Sequence, residues 1–187
     1  MLLMKVLVLN ASPRKDGSTV GILKQIVEGI NKEDQIEWID VSELSIKPCA
    51  GCLGCRPNKV CVLPKDDAQI IGRKINEADL LIVGTPVYWS NMAGTLKNLF
   101  DRNVTTFEDF STGSFPKPCQ EGKKAVIVAA SAAPWPFNGK GAVNSVKTIL
   151  QAGGYRITGI INYGGSALGK ELPQKIAQKA RKIGNSL

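Results

Sequence analysis

Residues Lys5 to Thr19, KVLVLNASPRKDGST, constrain this chain more than any other stretch. The apolar run Val6-Leu7-Val8-Leu9 is short and β-branched, the pattern of a buried strand. It breaks into small, polar, turn-forming residues from Asn10 to Thr19. An amphipathic helix is predicted next, over Thr19–Asn31, with Val20, Leu23, Val27 and Ile30 on one face and Ile22 and Ile26 widening it. Strand, polar loop and helix start together aim backbone N–H groups and the helix dipole at an anion. Ser12, Ser18 and Thr19 add hydroxyls and Arg14 adds charge, which is the make-up of a phosphate cradle. The same residues also suit an ordinary strand-to-helix turn with a Ser or Thr cap. Neither Gly-Lys-Ser/Thr nor GxGxxG is present, so a monophosphate fits better than a pyrophosphate.

The pattern then repeats. Further strands are predicted at Gln35–Asp40, Leu80–Gly84, Ala125–Ala130 and Arg156–Asn162. Helices are predicted from Asp66-Asp67 to Glu77, with Ile70, Ile71 and Ile75 turned inward, and over Ala93–Arg102, Gly141–Gln151 and Leu172–Ile183. Asn103 to Gly122 reads as a long polar connection. Strands alternating with helices imply a parallel sheet covered on both faces. With a phosphate loop after the first strand, the expectation is a single α/β domain over residues 1–187: a flavodoxin-like three-layer sandwich with a five-stranded parallel sheet, order 2-1-3-4-5. Ligands in that order sit beyond the carboxyl ends of strands one and three.

The 187 residues are 43% hydrophobic and 21% charged, the make-up of a soluble globular chain. No stretch reaches transmembrane length and no signal peptide is evident, so a cytoplasmic protein is expected. The 24 basic and 16 acidic residues give a net charge of +8, which brings nucleic acid into question. The basic residues are scattered, however, and Lys170, Lys175, Lys179, Arg181 and Lys182 fall on the polar face of the last helix. There is no histidine, so imidazole acid–base catalysis and histidine metal sites are excluded.

The loops after strands three and four carry Tyr88 and Trp89, then Trp135 and Phe137, on the predicted ligand edge. A flat ring held above a phosphate site would account for them; core packing is the plainer reading. The runs Asn10-Ala11-Ser12-Pro13-Arg14-Lys15-Asp16-Gly17-Ser18-Thr19 and Gly84-Thr85-Pro86-Val87-Tyr88-Trp89-Ser90-Asn91-Met92-Ala93-Gly94, continuing through Leu96-Lys97 to Asp101-Arg102, resemble the NAD(P)H-dependent FMN reductase family. Within it the chain looks most like the iron–sulfur flavoproteins. One departure is Ala11, where the family usually has glycine. The resemblance implies that Ser12, Arg14, Ser18 and Thr19 hold the FMN phosphate. It implies that Pro86, Val87, Tyr88, Trp89, Asn91 and Met92 line the ribityl chain and isoalloxazine.

Cys49, Cys52, Cys55 and Cys61 are spaced C-x2-C-x2-C-x5-C in one loop, with Cys119 apart. Disulfides so tightly spaced would be strained, and zinc ribbons use two separated pairs. Ferredoxin-like loops supply three thiolates of a cubane cluster at this spacing, with Cys61 available as the fourth. A [4Fe–4S] cluster is therefore expected, free thiols being the alternative. Following strand two, the loop is expected to project from the cofactor edge.

The functional expectation is an FMN-dependent oxidoreductase that takes electrons from NAD(P)H or from an acidic carrier such as ferredoxin. A cluster-free FMN or quinone reductase and a non-catalytic electron shuttle are the rival readings. The resemblance also implies a homo-dimer or homo-tetramer, with Asn103–Gly122 as a possible interface element.

Overall fold

The computed structural model of the chain describes residues 3–111, 115–134, 139–167 and 171–187. Trp135 and Phe137 of the expected aromatic loop, and Lys170, lie outside the described residues. Five parallel strands form the central sheet: β1 (Lys5–Asn10), β2 (Gln35–Asp40), β3 (Leu80–Pro86), β6 (Lys124–Ser131) and β7 (Arg156–Gly164). Their order is β2-β1-β3-β6-β7, which is the expected 2-1-3-4-5 once the short hairpin β4 (Glu108–Asp109) and β5 (Lys117–Pro118) is set apart. Every pairing in the large sheet is parallel.

Alternation along the strands divides the core into two layers. Val6 and Val8, Leu80 and Ile82, and Val126 and Val128 point to α1 (Ser18–Val27) and α7 (Gln174–Asn185). Leu7 and Leu9, Leu81 and Val83, and Ala125 and Ile127 point to the other layer. That layer is built from α3 (Asp67–Glu77), α4 (Gly94–Arg102), α5 (Val104–Phe107) and α6 (Lys140–Ala152), while α2 (Cys55–Asn58) is a single turn inside the cysteine loop. The helices form where the 3.6-residue period was read. α3 starts on a capping box in which Asp66 accepts from Ala68 N and donates its N–H to Gln69 Oε1. No helix among the described residues is long and apolar enough to cross a membrane.

Two expectations change. Ile70 is 44% exposed, because the α3 stripe narrows to Ala68, Ile71 and Ile75. The stretch after α4 is not simply polar: α5 sends Phe107 fully into the core, edge-on to Phe100 with ring centroids 5.4 Å apart. A four-residue helix is too short to show a period, so sequence gave no sign of it. On the last helix Lys175, Lys179, Arg181 and Lys182 are exposed, as a solvated face should be.

Helix α1 lies close enough to β3 that a methyl added at Gly84 would stand 2.5 Å from Leu23 Cδ1 and 2.9 Å from Cγ. Leu23 is fully buried, so any shift of its side chain presses on a close-packed core. Gly84→Ala should therefore overpack this contact and cost about 1–3 kcal/mol, read as a lower urea midpoint. An unchanged midpoint would mean that α1 shifts freely on the sheet.

Candidate flavin cleft and cysteine loop

The end of β1 is fixed from the side. Asn10, a buried residue, donates from Nδ2 to Asp40 Oδ1 across the β1–β2 pair at 2.7 Å. Trp38 Nε1 donates to the same oxygen at 2.8 Å. Asn10 Oδ1 then accepts the Ser12 N–H at 3.0 Å, which sets the direction of the outgoing loop. The loop closes on itself as Arg14 N–H donates to Ser12 Oγ and Gly17 N–H to the Arg14 carbonyl, both at 3.3 Å. Gly17 occupies the cap of α1, and no side chain caps the first turn. The Ser or Thr cap of the plainer reading is thus absent. Ser12 and Thr19 are buried, Ser18 is half-buried, and Arg14 is exposed with no ion pair among the described residues.

Four loops meet over this helix start. They enclose a cleft of about 690 Å³ whose walls include Ser12, Arg14, Ser18, Thr19, Pro86, Val87 and Tyr88. Asp16, Gly17, Ala130, Ala132, Ser166 and Ala167 complete it, Asp16 being the one carboxylate in the wall. The segment after β7 is a contributor that the sequence reading missed. Gly165, at φ 92°, turns this segment so that its N–H donates to the Ala133 carbonyl, and Ser166 N–H donates to the Ser131 carbonyl. The Gly164-Gly165-Ser166 run was the available signal.

The structure places the remaining predicted residues differently. Tyr88 and Asn91 exchange backbone hydrogen bonds around Trp89 and Ser90, both left-handed at φ 49° and 60°. A two-residue turn of this kind favours Asn-Gly, so Trp-Ser holds it under strain. Trp89 is fully exposed at its tip, outside the cleft walls. Asn91 Oδ1 accepts the Met92 N–H at 2.8 Å, and Met92 is buried in the core below.

The NADPH-dependent FMN reductase family pattern matches residues 4–166. The chain belongs to this family. An iron-sulfur flavoprotein of Methanocaldococcus jannaschii is 35% identical over 101 residues, which are 54% of this chain and 52% of that protein. The chain thus matches about half the length of that relative. An iron-sulfur flavoprotein of Clostridioides difficile is 28% identical over 96% of this chain and 76% of its own. Among solved structures, an FMN-dependent NADH-azoreductase from Bacillus anthracis, in complex with FMN, superposes with a TM-score of 0.71 at 17% identity. That superposition covers 98% of this chain and 97% of the other, and it speaks to the fold alone.

In this member of the family the cysteine loop does not open into the four-loop cleft. It is drawn over α4, where Asn98 Nδ2 donates to the Ile46 carbonyl at 2.9 Å and Arg102 holds Lys47 and Asp66. Cys49 and Cys55 border a second, more apolar cleft of about 460 Å³ with Phe100, Val104, Phe107 and Ile149. The two clefts share no wall residue, so the loop does not project from the expected edge. Gly51, Leu53 and Lys59 take left-handed backbone angles as the loop turns back. None of the five cysteines is joined in a disulfide. Among the described residues no three ligand-type side chains are gathered at metal-binding distance. Burial pushes the Cys55 thiol up, and charge on Cys61, Cys49 and Cys52 pushes it further.

Burial alone would raise the Asp66 carboxyl. The Arg102 guanidinium and the Lys47 and Ala68 N–H groups outweigh that and hold it below the ordinary value. Its folded pKa is depressed, so its stabilising contribution is present above the unfolded value of 3.8 and is lost as pH falls through the folded one. Asp66→Asn should therefore flatten the acid limb of the stability–pH curve below about pH 4. An identical acid limb in the variant would show that Asp66 does not carry it.

Proposed function

We propose that the chain binds FMN in the four-loop cleft and works as an oxidoreductase with a reduced nicotinamide as donor. The observation that carries this reading is the uncapped start of α1, set beside Ser12, Thr19 and an unengaged Arg14 in the cleft wall. Such a cradle meets a dianionic monophosphate with backbone donors, hydroxyls and one cation. Pro86, Val87 and Tyr88 line the wall from which the flavin ring would be gripped. Trp89, Asn91 and Met92 act from the rim and from beneath. FMN, when bound, supplies the acceptance of hydride and the onward passage of electrons. The protein's part is to hold the phosphate, orient the ring and exclude water.

Cys49, Cys52, Cys55 and Cys61 are read as the holders of a [4Fe–4S] cluster. Four cysteines in one loop, of which Cys49 and Cys55 border an apolar cleft, match its donor chemistry, although the loop must tighten to bring the sulfurs together. The names of the Methanocaldococcus and Clostridioides relatives support the same reading. The second reading, a cluster-free reductase, draws on the ungathered sulfurs. Visible and EPR spectra of anaerobically reconstituted protein, with iron and sulfide assays, separate the two. Iron and sulfide beside FMN support the first, and FMN without them the second.

Three outcomes follow. Arg14→Ala should weaken FMN binding by about 1–3 kcal/mol, the size of a lost charge-assisted hydrogen bond, as read by flavin fluorescence titration. Equal affinity in both proteins would remove the phosphate cradle. Cys55→Ser should lose the broad cluster absorption while retaining FMN. The cysteine loop also bears Lys47, Arg56 and Lys65, besides Lys59 which is paired with Asp109, and no acidic residue between Glu43 and Asp66, which suits an acidic carrier protein. Electron-transfer rates with such a carrier should fall as salt rises. A flat profile would count against charge-guided docking.

A further inference from the structure

Arg102 ends α4, a position where cations usually complement the helix dipole and reach into solvent. Here its side chain is 0% exposed. A buried guanidinium is tolerated when its donors meet acceptors of good geometry. Nη1 donates to Asp66 Oδ2 at 2.7 Å and to the Lys47 carbonyl at 2.6 Å, and Nη2 donates to Asp66 Oδ1 at 3.3 Å. Nε donates to Cys61 Sγ at 3.3 Å. Lys47 and Asp66 are the entry and exit of the cysteine loop, so one buried cation ties its neck. The Nε donor is aimed at a sulfur. Among the four cysteines of the loop, Cys61 is the one whose sulfur meets a charged donor within the described residues. The Cys49 sulfur meets only the N–H of Gly51, at 3.5 Å. A neutral thiol is a weak acceptor, whereas a charged N–H suits a thiolate.

We propose that Arg102 is a positioning residue for the cluster: it fixes Cys61 as the anchored corner on which the other three cysteines close, and donates a hydrogen bond to its sulfur once ligated. The inference rests on the reading of these cysteines as cluster ligands. Two consequences follow from the geometry. Tying the neck of the loop slows loss of the cluster. An N–H donor on a ligating sulfur favours the more negative, reduced cluster and raises its potential. Lysine keeps the charge but lacks the planar fork and the Nε donor.

The test compares wild type, Arg102→Lys and Arg102→Gln after anaerobic reconstitution with iron and sulfide, with bound FMN as the check on folding. Iron release to a chelator and the cluster potential, followed by EPR-monitored titration, are the readouts. Arg102→Lys should keep its FMN, lose iron about 10–100-fold faster, and have a more negative potential. Should the lysine variant lose FMN, Arg102→Gln is read in its place. Asp66→Asn, which loosens the neck but leaves the Nε donor, should speed iron release with little change in potential. Wild type that holds iron, with Arg102 variants matching it in both readouts, overturns this inference alone. Wild type that binds FMN but no iron or sulfide overturns the cluster reading, and this inference with it.

Discussion

The hydrogen bonds that Asn10 and Trp38 donate to one oxygen of Asp40 set the geometry on which the candidate site depends. They join the carboxyl ends of β1 and β2, and through Asn10 Oδ1 they fix where the chain leaves the sheet. Asn10 is almost fully buried, so its amide cannot turn to water if Asp40 is displaced. The loop that follows is held by short-range bonds between Ser12, Arg14 and Gly17, and it delivers α1 with its first turn uncapped. The close fit of Leu23 against Gly84 then locks that helix to β3. Donors that would otherwise be satisfied locally are thereby left for a ligand.

The fold was legible because its signals are periodic. Wholly apolar runs such as Leu80–Val83 and the α1 stripe report burial on two faces and on one face, and the structure repeats both. The phosphate loop was legible because hydroxyls and an arginine stand between a strand and a helix. What escaped notice lacked a period. The turn of α5 that buries Phe107 is four residues long, and the segment at Ser166 joins the cleft through backbone hydrogen bonds that no side-chain pattern records. Ile70 was misread because three apolar residues within six cannot tell the middle of a stripe from its margin.

The cysteine loop shows a different limit. Its spacing is a local property and points to four thiolates around one centre. Its placement is decided by Arg102, which lies in another helix 41 positions from Cys61 and buries its charge among Asp66, Lys47 and that sulfur. A loop following β2 would by connectivity lie at the ligand edge, and the ion pair instead carries it across α4. The result is two clefts with separate walls, one polar with an uncapped helix and one apolar with thiols at its border.

The central claim is that the polar cleft is built for a flavin monophosphate. Fluorescence titration of flavin-free protein with FMN and with riboflavin tests it most directly, since the two ligands differ only in the phosphate. FMN is expected to bind tightly at one site per chain and riboflavin far more weakly, with inorganic phosphate competing against FMN. Equal affinity for the two flavins, undisturbed by phosphate, would contradict it.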